Sequence, residues 1–333
     1  MIKILFLADS HLGFDYSVHP KKDRRRRGHD FFANFDLIIS FAKENKIDMV
    51  IHGGDLFYRT LVPQSIVNMV YDRIGNLAEA GIPIVIVPGN HESSRLPVSL
   101  FLHHPNIYYF AKEQVFNFTL KGLSIDIAGF PCVRKDVRSE FPSLIKSIEK
   151  QLSPKANIKL LCMHQSIEGA VVGPSDYMFR TGKDIIPISD IPENYDLVLS
   201  GHIHRSQILW TKNHKTPIIY PGSIERTSFA EKEEEKGFYL IEINENAVSD
   251  YQFITLPARK MVDISLNKSV YSKESLRQEL LIEIQKIPDD SIVRIKMTNE
   301  DNLKYLTTKY LDEIFPWTMN YQISASFRNN IIK

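Results

Sequence analysis

The chain has very little cysteine: Cys132 and Cys162 are the only two in 333 residues. Small secreted proteins that depend on disulfides use many more, so this composition excludes a disulfide framework. Cys162 lies inside an apolar run, where a free thiol behaves as a small core side chain. The two thiols therefore favour a reducing compartment and predict no structural disulfide.

Long apolar runs and an excess of one charge are also missing. No stretch approaches the ~20 apolar residues that a transmembrane helix needs. The apolar start Met1–Ala8 is too short for a signal peptide and lacks a cleavage site, so we expect a cytoplasmic protein. Lys plus Arg number 41 and Asp plus Glu 40, so net charge predicts no partner. Any affinity for an anion must come from local clusters.

The order of the predicted elements favours an α/β fold. Buried strands and amphipathic helices alternate up to about residue 90, which is typical of a parallel sheet with helices on its faces. The middle of the chain has many strands and few helices, which two packed sheets would explain. A boundary at Leu256-Pro257-Ala258 is expected to divide a domain at 1–256 from a small α+β module at 257–333.

The module at 257–333 contains no histidine, so it can supply no imidazole ligand. A cap that shapes substrate access and a packing or dimerisation module are equally good interpretations of it. Earlier in the chain, the charged run Glu231–Lys236 is expected to be a solvated turn.

Five short polar motifs, each at the end of an apolar run, carry most of the functional information. In chain order they are Asp9-Ser10-His11, Gly54-Asp55, Gly89-Asn90-His91, His164 and Gly201-His202-Ile203-His204. One such motif alone is more simply explained by a turn or by a hydrogen-bonded histidine. Their repeated position after buried strands is more informative, because strand ends at one edge of a sheet converge.

Seven side chains in these motifs form a ligand set of two carboxylates, one amide and four imidazoles. The seven are Asp9, His11, Asp55, Asn90, His164, His202 and His204. They are too many for one tetrahedral zinc ion, and they suit two ions of manganese, iron or zinc type that share a carboxylate, ~3.5–4 Å apart. Such a pair stabilises the charge that develops during phosphodiester hydrolysis and lowers the pKa of a bound water from about 15.7 to roughly 7–10. His91 is the candidate donor to the charged oxygens or to the leaving alkoxide.

The motifs resemble the calcineurin-like metallophosphoesterase family, whose pattern is D-x-H, G-D, G-N-H, H and G-H-x-H. Within that family, the sequence is most similar to the SbcD-type nucleases of DNA double-strand-break repair. The similarity covers about the first 256 residues. It rests on Ala8-Asp9-Ser10-His11-Leu12-Gly13, His52-Gly53-Gly54-Asp55-Leu56-Phe57, Pro88-Gly89-Asn90-His91-Glu92, Gly201-His202-Ile203-His204 and Tyr220-Pro221-Gly222-Ser223.

This resemblance implies a four-layer α/β sandwich, a preference for manganese, a homodimer and an SbcC-type ATPase with a long coiled coil as partner. His91 would act on the transition state or on the leaving group. The first ion would be held by Asp9, His11, Asp55 and His204, and the second by Asp55, Asn90, His164 and His202, with Asp55 as the bridge.

The sequence departs from the nuclease pattern at two places. Some relatives carry a second histidine three residues after the bridging Asp, where this chain has Tyr58, so exonuclease chemistry that relies on that histidine is in doubt. A phenol could still donate a hydrogen bond there. Relatives often extend into a helical segment that docks the ATPase, whereas this sequence stops at Lys333 without an obvious one. The expected ATPase partnership therefore has less support than the expected chemistry.

A basic segment follows the first motif. Lys21-Lys22-Asp23-Arg24-Arg25-Arg26-Arg27 places six positive charges in seven residues. A solvated charge run and a DNA-binding loop are equally good interpretations. The loop is expected to leave the same sheet edge as Asp9, and arginine contacts phosphates without reading sequence. Candidate DNA contacts are Arg24, Arg25, Arg26 and Arg27.

Three functions are compatible with these patterns. The first is a two-metal-dependent DNA nuclease, an exonuclease or endonuclease without strong sequence preference. The second is a phosphodiesterase of the same superfamily that acts on small molecules, against which the arginine-rich loop and the separate module argue. The third is a scaffold that has kept the fold and lost catalysis, against which the intact ligand set argues.

Overall fold

The computed structural model of the chain divides into two compact units. The first unit comprises Met1–Phe14 and Phe31–Pro257, and the second comprises Asp15–Asp30 and Ala258–Lys333. The structure describes residues 1–15, 24–92, 96–97, 104–244, 246–268, 271–297 and 299–325. The assignment of a nuclease domain to 1–256 and a capping domain to 257–333 stays a prediction.

The first unit is built mainly from strands. Its described strands are β1 (Ile2–Leu7), β2 (Met49–His52), β3 (Ile84–Ile86), β4 (Ile107–Tyr109), β5 (Gln114–Leu120), β6 (Leu123–Gly129), β7 (Ile158–His164), β8 (Ser166–Ile167), β9 (Val171–Val172), β10 (Tyr177–Met178), β11 (Ile185–Ile186), β12 (Leu197–Gly201), β13 (Gln207–Trp210), β14 (Pro217–Tyr220), β15 (Lys236–Asn244) and β16 (Ala247–Leu256). Its described helices are α1 (Gly28–Glu44), whose first residues belong to the second unit, α2 (Gln64–Glu79) and α3 (Val137–Glu149), with single 3₁₀ turns at Ile188–Asp190 and Phe229–Glu231.

Within the described residues, these strands form two six-stranded mixed sheets and two small two-stranded ones. The first large sheet has the order β16-β15-β1-β2-β3-β4, with β1 to β4 parallel. The second has the order β13-β14-β12-β7-β6-β5, with β14, β12, β7 and β6 parallel. The strands that precede the polar motifs, β1, β2, β3, β7 and β12, are therefore neighbours within their own sheets.

The two large sheets share one hydrophobic core. Phe6 and Ile51 from the first sheet and Ile127 and Leu160 from the second are fully buried in it. Phe141 of α3 belongs to a second cluster, which includes residues of β7 and β12. Packing of two sheets with helices outside them is the expected solution for strands that are apolar on both faces. The predicted mixed α/β fold with two packed sheets is confirmed.

Two parts of the first unit differ from the sequence prediction. Helix α3 was not expected, and it contains Pro142, a residue that normally interrupts helices. The helix forms because its apolar residues recur at helical spacing and are buried. Strands β4 and β5 were also missed, since β5 is half-buried along most of its length and lacks a continuous apolar run.

The second unit is a small α+β module with its own core. Its three described strands pair in parallel in the order β17-β18-β19, and Leu276, Val293 and Leu311 are among its buried residues. The elements are β17 (Met261–Leu266), α4 (Lys273–Ile284), β18 (Ile292–Met297), a 3₁₀ helix (Glu300–Tyr305), α5 (Thr308–Asp312) and β19 (Asn320–Ala325). Strands and helices alternate along the described part of this module.

Candidate metal centre

All seven predicted metal ligands lie at the carboxyl ends of adjacent parallel strands. Asp9 follows β1, Asp55 follows β2 and Asn90 follows β3 in the first sheet. His164 ends β7, and His202 and His204 follow β12 in the second sheet. Because the two sheets share one core, their motif-bearing edges meet, and the seven side chains come together as the sequence pattern predicts.

The chain makes abrupt turns as it leaves the strands. Four of the predicted ligands have positive φ angles: 51° for Asp9, 44° for His11, 53° for Asp55 and 86° for His202. A non-glycine residue in this region costs of order 1–3 kcal/mol, and such strain is concentrated at functional sites. Four strained residues within one cluster indicate that the position of their side chains matters more than local stability.

Backbone hydrogen bonds hold the first two motifs side by side. The amide of Asp9 donates to the carbonyl of Gly54 at 2.8 Å, and the amide of His11 donates to the carbonyl of Asp55 at 3.0 Å. These bonds continue the pairing of β1 with β2 beyond the strand ends. The two carboxylates are therefore positioned by the sheet itself.

One group of donor atoms surrounds a first position. His11 Nε2 lies 3.0 Å from His204 Nε2. Asp9 Oδ1 lies 4.0 Å from His11 Nε2 and 3.8 Å from His204 Nε2. The Nδ1 atom of His11 is buried, and no described residue offers it a hydrogen-bond partner. Two imidazole nitrogens facing each other beside a buried carboxylate are the arrangement that a cation between them would stabilise.

A second group of donor atoms is centred on the amide of Asn90. Its Oδ1 atom lies 2.9 Å from His164 Nε2 and 2.9 Å from His202 Nδ1. Asp55 Oδ2 lies 3.4 Å from the same nitrogen of His164. Asp55 also groups with His11 and His91, so this carboxylate lies between the two sets of donors.

The motif loops pack against one another too closely for larger residues. A Cβ atom placed on Gly89 would lie 2.1 Å from Asp55 Oδ1, and one on Gly54 would lie 2.2 Å from the ring of His164. Both distances are far below van der Waals contact. These two glycines are therefore required for the loops of β2 and β3 to approach the centre.

Burial and close pairing shift the pKa values of the groups in the cluster. Burial raises the pKa of Asp9 to about 6. Burial alone would also raise the pKa of Asp55, but the neighbouring His164 holds it well below its usual range. In turn, the Asp55 carboxylate overcomes the effect of burial and raises the pKa of His164 to about 9. A divalent cation would offset the cost of burying these carboxylates.

Two of the imidazoles are held in the neutral form that binds metals. Burial lowers the pKa of His202 to about 3 and places the pKa of His11 well below its usual value. Neutral imidazole offers a nitrogen lone pair, whereas imidazolium offers none. Together with the oxygen donors Asp9, Asp55 and Asn90, these nitrogens fit divalent cations of the borderline class.

His91 differs from the buried ligands in its exposure. Its side chain is 36% exposed, and its Nε2 atom lies 3.9 Å from Asp55 Oδ2. Its Nδ1 atom lies 2.6 Å from the carbonyl oxygen of Tyr58, so a proton on Nδ1 is donated to that oxygen. The Nε2 atom is thereby directed towards the centre while the ring stays accessible to a substrate.

Tyr58, the residue at which the sequence departs from the nuclease pattern, lies beside the centre. Its ring centroid is 5.9 Å from that of His11 and 5.7 Å from that of His91. The ring of Tyr58 also packs edge-on against the ring of Phe14, with the two centroids 4.7 Å apart. An aromatic surface therefore replaces an imidazole next to the proposed ligands.

Two carboxylates at the centre were not identified from the sequence. Glu92 is buried and accepts hydrogen bonds from the amides of Phe57 and Gly89, each at 2.7 Å, so it joins two motif loops. Burial, reinforced by the charge of Asp55, raises the pKa of Glu92 to about 8. Its position directly after His91 was the only available signal.

The second missed carboxylate is Glu231, and here the sequence interpretation was wrong. The charged run Glu231–Lys236 was expected to be a solvated turn, but Glu231 is only 6% exposed and Lys236 only 1%. Glu231 Oε1 lies 3.1 Å from His204 Nδ1. No sequence pattern links these two residues, since 27 positions separate them.

The four arginines proposed as DNA contacts belong to the second unit, and all are half-buried. Arg24 donates to the carbonyls of Pro316 and Met319 and forms an ion pair with Asp312 at 2.9 Å. Arg25 pairs at 2.6 Å with Asp30. These contacts give two of the arginines a structural role. A DNA-binding role for Arg24, Arg25, Arg26 and Arg27 stays a prediction, and Lys21 and Lys22 lie outside the described residues.

A family model described as calcineurin-like phosphoesterase matches residues 2–206. Two similar curated proteins are both DNA double-strand break repair proteins Mre11. The one from Methanopyrus kandleri is 23% identical over 300 residues, which cover 83% of this chain and 62% of that protein. The one from Methanocaldococcus jannaschii is 29% identical over 283 residues, which cover 82% and 71%.

Solved structures show weaker likenesses. The match to a dimetal phosphatase from Danio rerio covers 76% of this chain and 98% of that protein, with 10% identity and a TM-score of 0.45. The match to TT1561 of Thermus thermophilus covers 76% of this chain and 98% of that protein, with 12% identity and a TM-score of 0.48. Among the described residues, no helix combines the length and apolar character needed to cross a membrane.

Proposed function

The chain belongs to the calcineurin-like phosphoesterase family, and from that premise we propose that it is a two-metal-dependent DNA nuclease. Membership in the family confirms the expected enzyme class, a hydrolase that acts on phosphodiester bonds. The names of the curated relatives, DNA double-strand break repair proteins, support DNA as the substrate.

A single observation carries the proposal: donor atoms from five strand ends converge on adjacent positions. Asn90 Oδ1 is 2.9 Å from both His164 Nε2 and His202 Nδ1, while His11 and His204 face each other at 3.0 Å beside Asp9. Asp55 lies between the two groups. An arrangement with one shared carboxylate is typical of two-metal phosphoesterase centres.

We assign the ligands to two positions on this basis. Asp55 is the shared ligand. The first position would be held by Asp9, His11, Asp55 and His204, and the second by Asp55, Asn90, His164 and His202. The mixed set of carboxylate, amide and imidazole donors suits manganese, iron and zinc, and we expect manganese because the resemblance to SbcD-type nucleases implies it.

Two divalent ions, when bound, supply the positive charge that stabilises the phosphate in the transition state and lowers the pKa of a water nucleophile. The residues of the chain would position the phosphate and supply a proton. Asp55 and Asn90 lie on loops fixed by Glu92, so the phosphate would meet preorganised donors. His91, when protonated at Nε2, would donate that proton to the charged oxygen or to the leaving alkoxide.

The expected partners follow from the resemblance. A homodimer and an SbcC-type ATPase stay proposals, as does a cytoplasmic location. The chain spans 62% of the Methanopyrus kandleri relative, so any activity that requires the remainder of such a protein is also a proposal.

The experiment is a cleavage assay with end-labelled single-stranded and double-stranded DNA. The wild-type protein should degrade linear DNA with Mn²⁺ and not with a chelator, and the labelled products report the polarity of cleavage. Asp55→Asn should reduce cleavage to the rate without metal, because Asp55 is the shared ligand. The matched control is Asp72→Asn, which makes the same change at an exposed position of α2.

The outcomes separate the candidate functions. Cleavage of an aryl phosphodiester with Mn²⁺ but no cleavage of DNA would favour the small-molecule phosphodiesterase. Absence of both activities in a protein that binds two ions would favour the scaffold without catalysis. Equal DNA cleavage by Asp55→Asn and the wild type would refute the proposed metal centre.

A further inference from the structure

A buried ion pair lies behind one of the proposed ligands, His204. Glu231 is 6% exposed, and its Oε1 atom lies 3.1 Å from His204 Nδ1. The opposite ring nitrogen, Nε2, is the atom that faces His11 Nε2 at 3.0 Å. Because Glu231 can only accept when ionised, the proton of a neutral His204 lies on Nδ1 and the lone pair lies on Nε2.

Lys236 holds the other side of this carboxylate. Its Nζ atom lies 2.7 Å from Glu231 Oε2 and donates at 3.0 Å to Glu234 Oε2. The third contact of Nζ, at 2.9 Å, is the carbonyl oxygen of His204 itself. All three donors of the ammonium group are therefore used, although the side chain has no exposed surface.

Other groups complete the network around Glu231. Its Oε1 atom also accepts from the hydroxyl of Thr227, and its Oε2 atom accepts from Ser223 Oγ at 3.3 Å. The amide of Ser223 donates to the same His204 carbonyl at 3.1 Å. Both the ring and the backbone of His204 are thus held by this network.

We infer that Glu231, supported by Lys236, is the positioning residue for the first metal position, and that it sets the affinity of that position alone. The inference rests on the proposed function, since it requires the centre to bind two ions. Hydrogen bonds from a carboxylate to a metal-binding histidine fix the tautomer and raise the basicity of the ligand, and their removal costs 10–100-fold in metal affinity.

The separation of the two positions makes the inference specific. Glu231 contacts His204, which we assign only to the first position. The second position is supported differently, because His164 Nδ1 lies 2.8 Å from the carbonyl oxygen of Gly53. A loss of the Glu231 carboxylate should therefore weaken one binding step and leave the other nearly unchanged.

The test is calorimetric titration of the metal-free full chain with Mn²⁺. Wild-type protein should bind two ions in two steps. Glu231→Ala should weaken one step by about 10–100-fold and change the other by less than about threefold. The weakened step should be the one that His204→Ala removes and Asn90→Ala retains. Glu231→Gln keeps an oxygen that can accept from His204 Nδ1, so it should restore part of the lost affinity.

The matched control is Glu235→Ala, which removes a carboxylate from the same charged run at an exposed position and should leave both steps unchanged. Thermal unfolding in chelator identifies any variant that fails to fold, in which case Glu231→Gln carries the test. Two unchanged steps in Glu231→Ala, or an equal loss of both, would overturn the inference while leaving the proposed function intact. A wild-type protein that binds no Mn²⁺ would overturn the proposed function itself, and the inference with it.

Discussion

At the scale of single residues, the side chains of the centre differ in how deeply they are buried. Asp9, Asp55 and His164 are fully buried, and their pKa values are shifted by burial and by one another. The side chain of His91 is 36% exposed, against 25% for that of the proposed ligand His204. The exposure of its ring supports the proposed role of His91 in contacting the substrate.

His91 provides a residue-scale prediction. His91→Ala should lower Mn²⁺-dependent DNA cleavage about 10²–10⁴-fold, the usual contribution of a general acid, while two Mn²⁺ ions still bind. The backbone amide of residue 91, which donates to Asp55 Oδ1 at 2.9 Å, is unaffected by the substitution. Cleavage rates and metal stoichiometry measured on one preparation test both parts.

His214→Ala is the control for that prediction, because it removes an exposed imidazole from a turn of the same unit. A His91→Ala variant that cleaves DNA at the wild-type rate would show that the proton is donated by another group. Loss of metal binding in the same variant would instead make His91 a ligand.

At the scale of secondary structure, the centre depends on how closely neighbouring strand ends can approach. Gly89 ends the apolar run of β3, and its missing side chain makes room for the Asp55 carboxylate. Gly75 has no such role, since the nearest atom of the described residues to a Cβ placed there would be 3.8 Å away, in the ring of Tyr71. It lies within α2, where glycine is unfavourable.

These two glycines give opposite predictions for the same substitution. Gly89→Ala should destabilise the fold by about 1–3 kcal/mol, since the new methyl group clashes with Asp55, and it should weaken Mn²⁺ binding. Gly75→Ala should stabilise the fold by about 0.5–1 kcal/mol and leave metal binding unchanged. Urea unfolding in chelator, followed by Mn²⁺ titration, measures both effects. An unchanged free energy of unfolding in Gly89→Ala would contradict the close packing described above.

The strands that bear the motifs could be predicted because each is a continuous apolar run that ends in a polar residue. That pattern is sufficient to place Asp9, Asp55 and Asn90 at one sheet edge, since parallel strands end together. Helix α3 was missed because Pro142 argues against a helix, and only tertiary burial of Phe141 and its neighbours overcomes that preference.

At the scale of the whole molecule, the chain forms two units whose residues interleave in sequence. The segment Asp15–Asp30 belongs to the second unit although it follows the first motif. Asp30 forms a buried ion pair with Arg259 at 2.9 Å, a contact between residues 229 positions apart. Such a long-range pair has no sequence signature, which is why the basic segment was assigned to the first domain.

The same limit applies to the Glu231–Lys236 pair. Composition alone indicates a solvated turn for six charges in six residues, and only the position of His204 in the fold makes burial of two of them favourable. The proposed ligands could be grouped from the sequence, because strand ends have a local pattern. The residues that position the ligands could not, because their contacts are set by the tertiary fold.

The most direct test of the account is anomalous diffraction from crystals of the protein soaked in Mn²⁺, measured on both sides of the manganese absorption edge. The account predicts two peaks about 3.5–4 Å apart. One should lie among Asp9, His11 and His204 and the other among Asn90, His164 and His202, with Asp55 in contact with both. A single peak, or peaks away from these side chains, would contradict the claim that this chain is built around a two-metal centre.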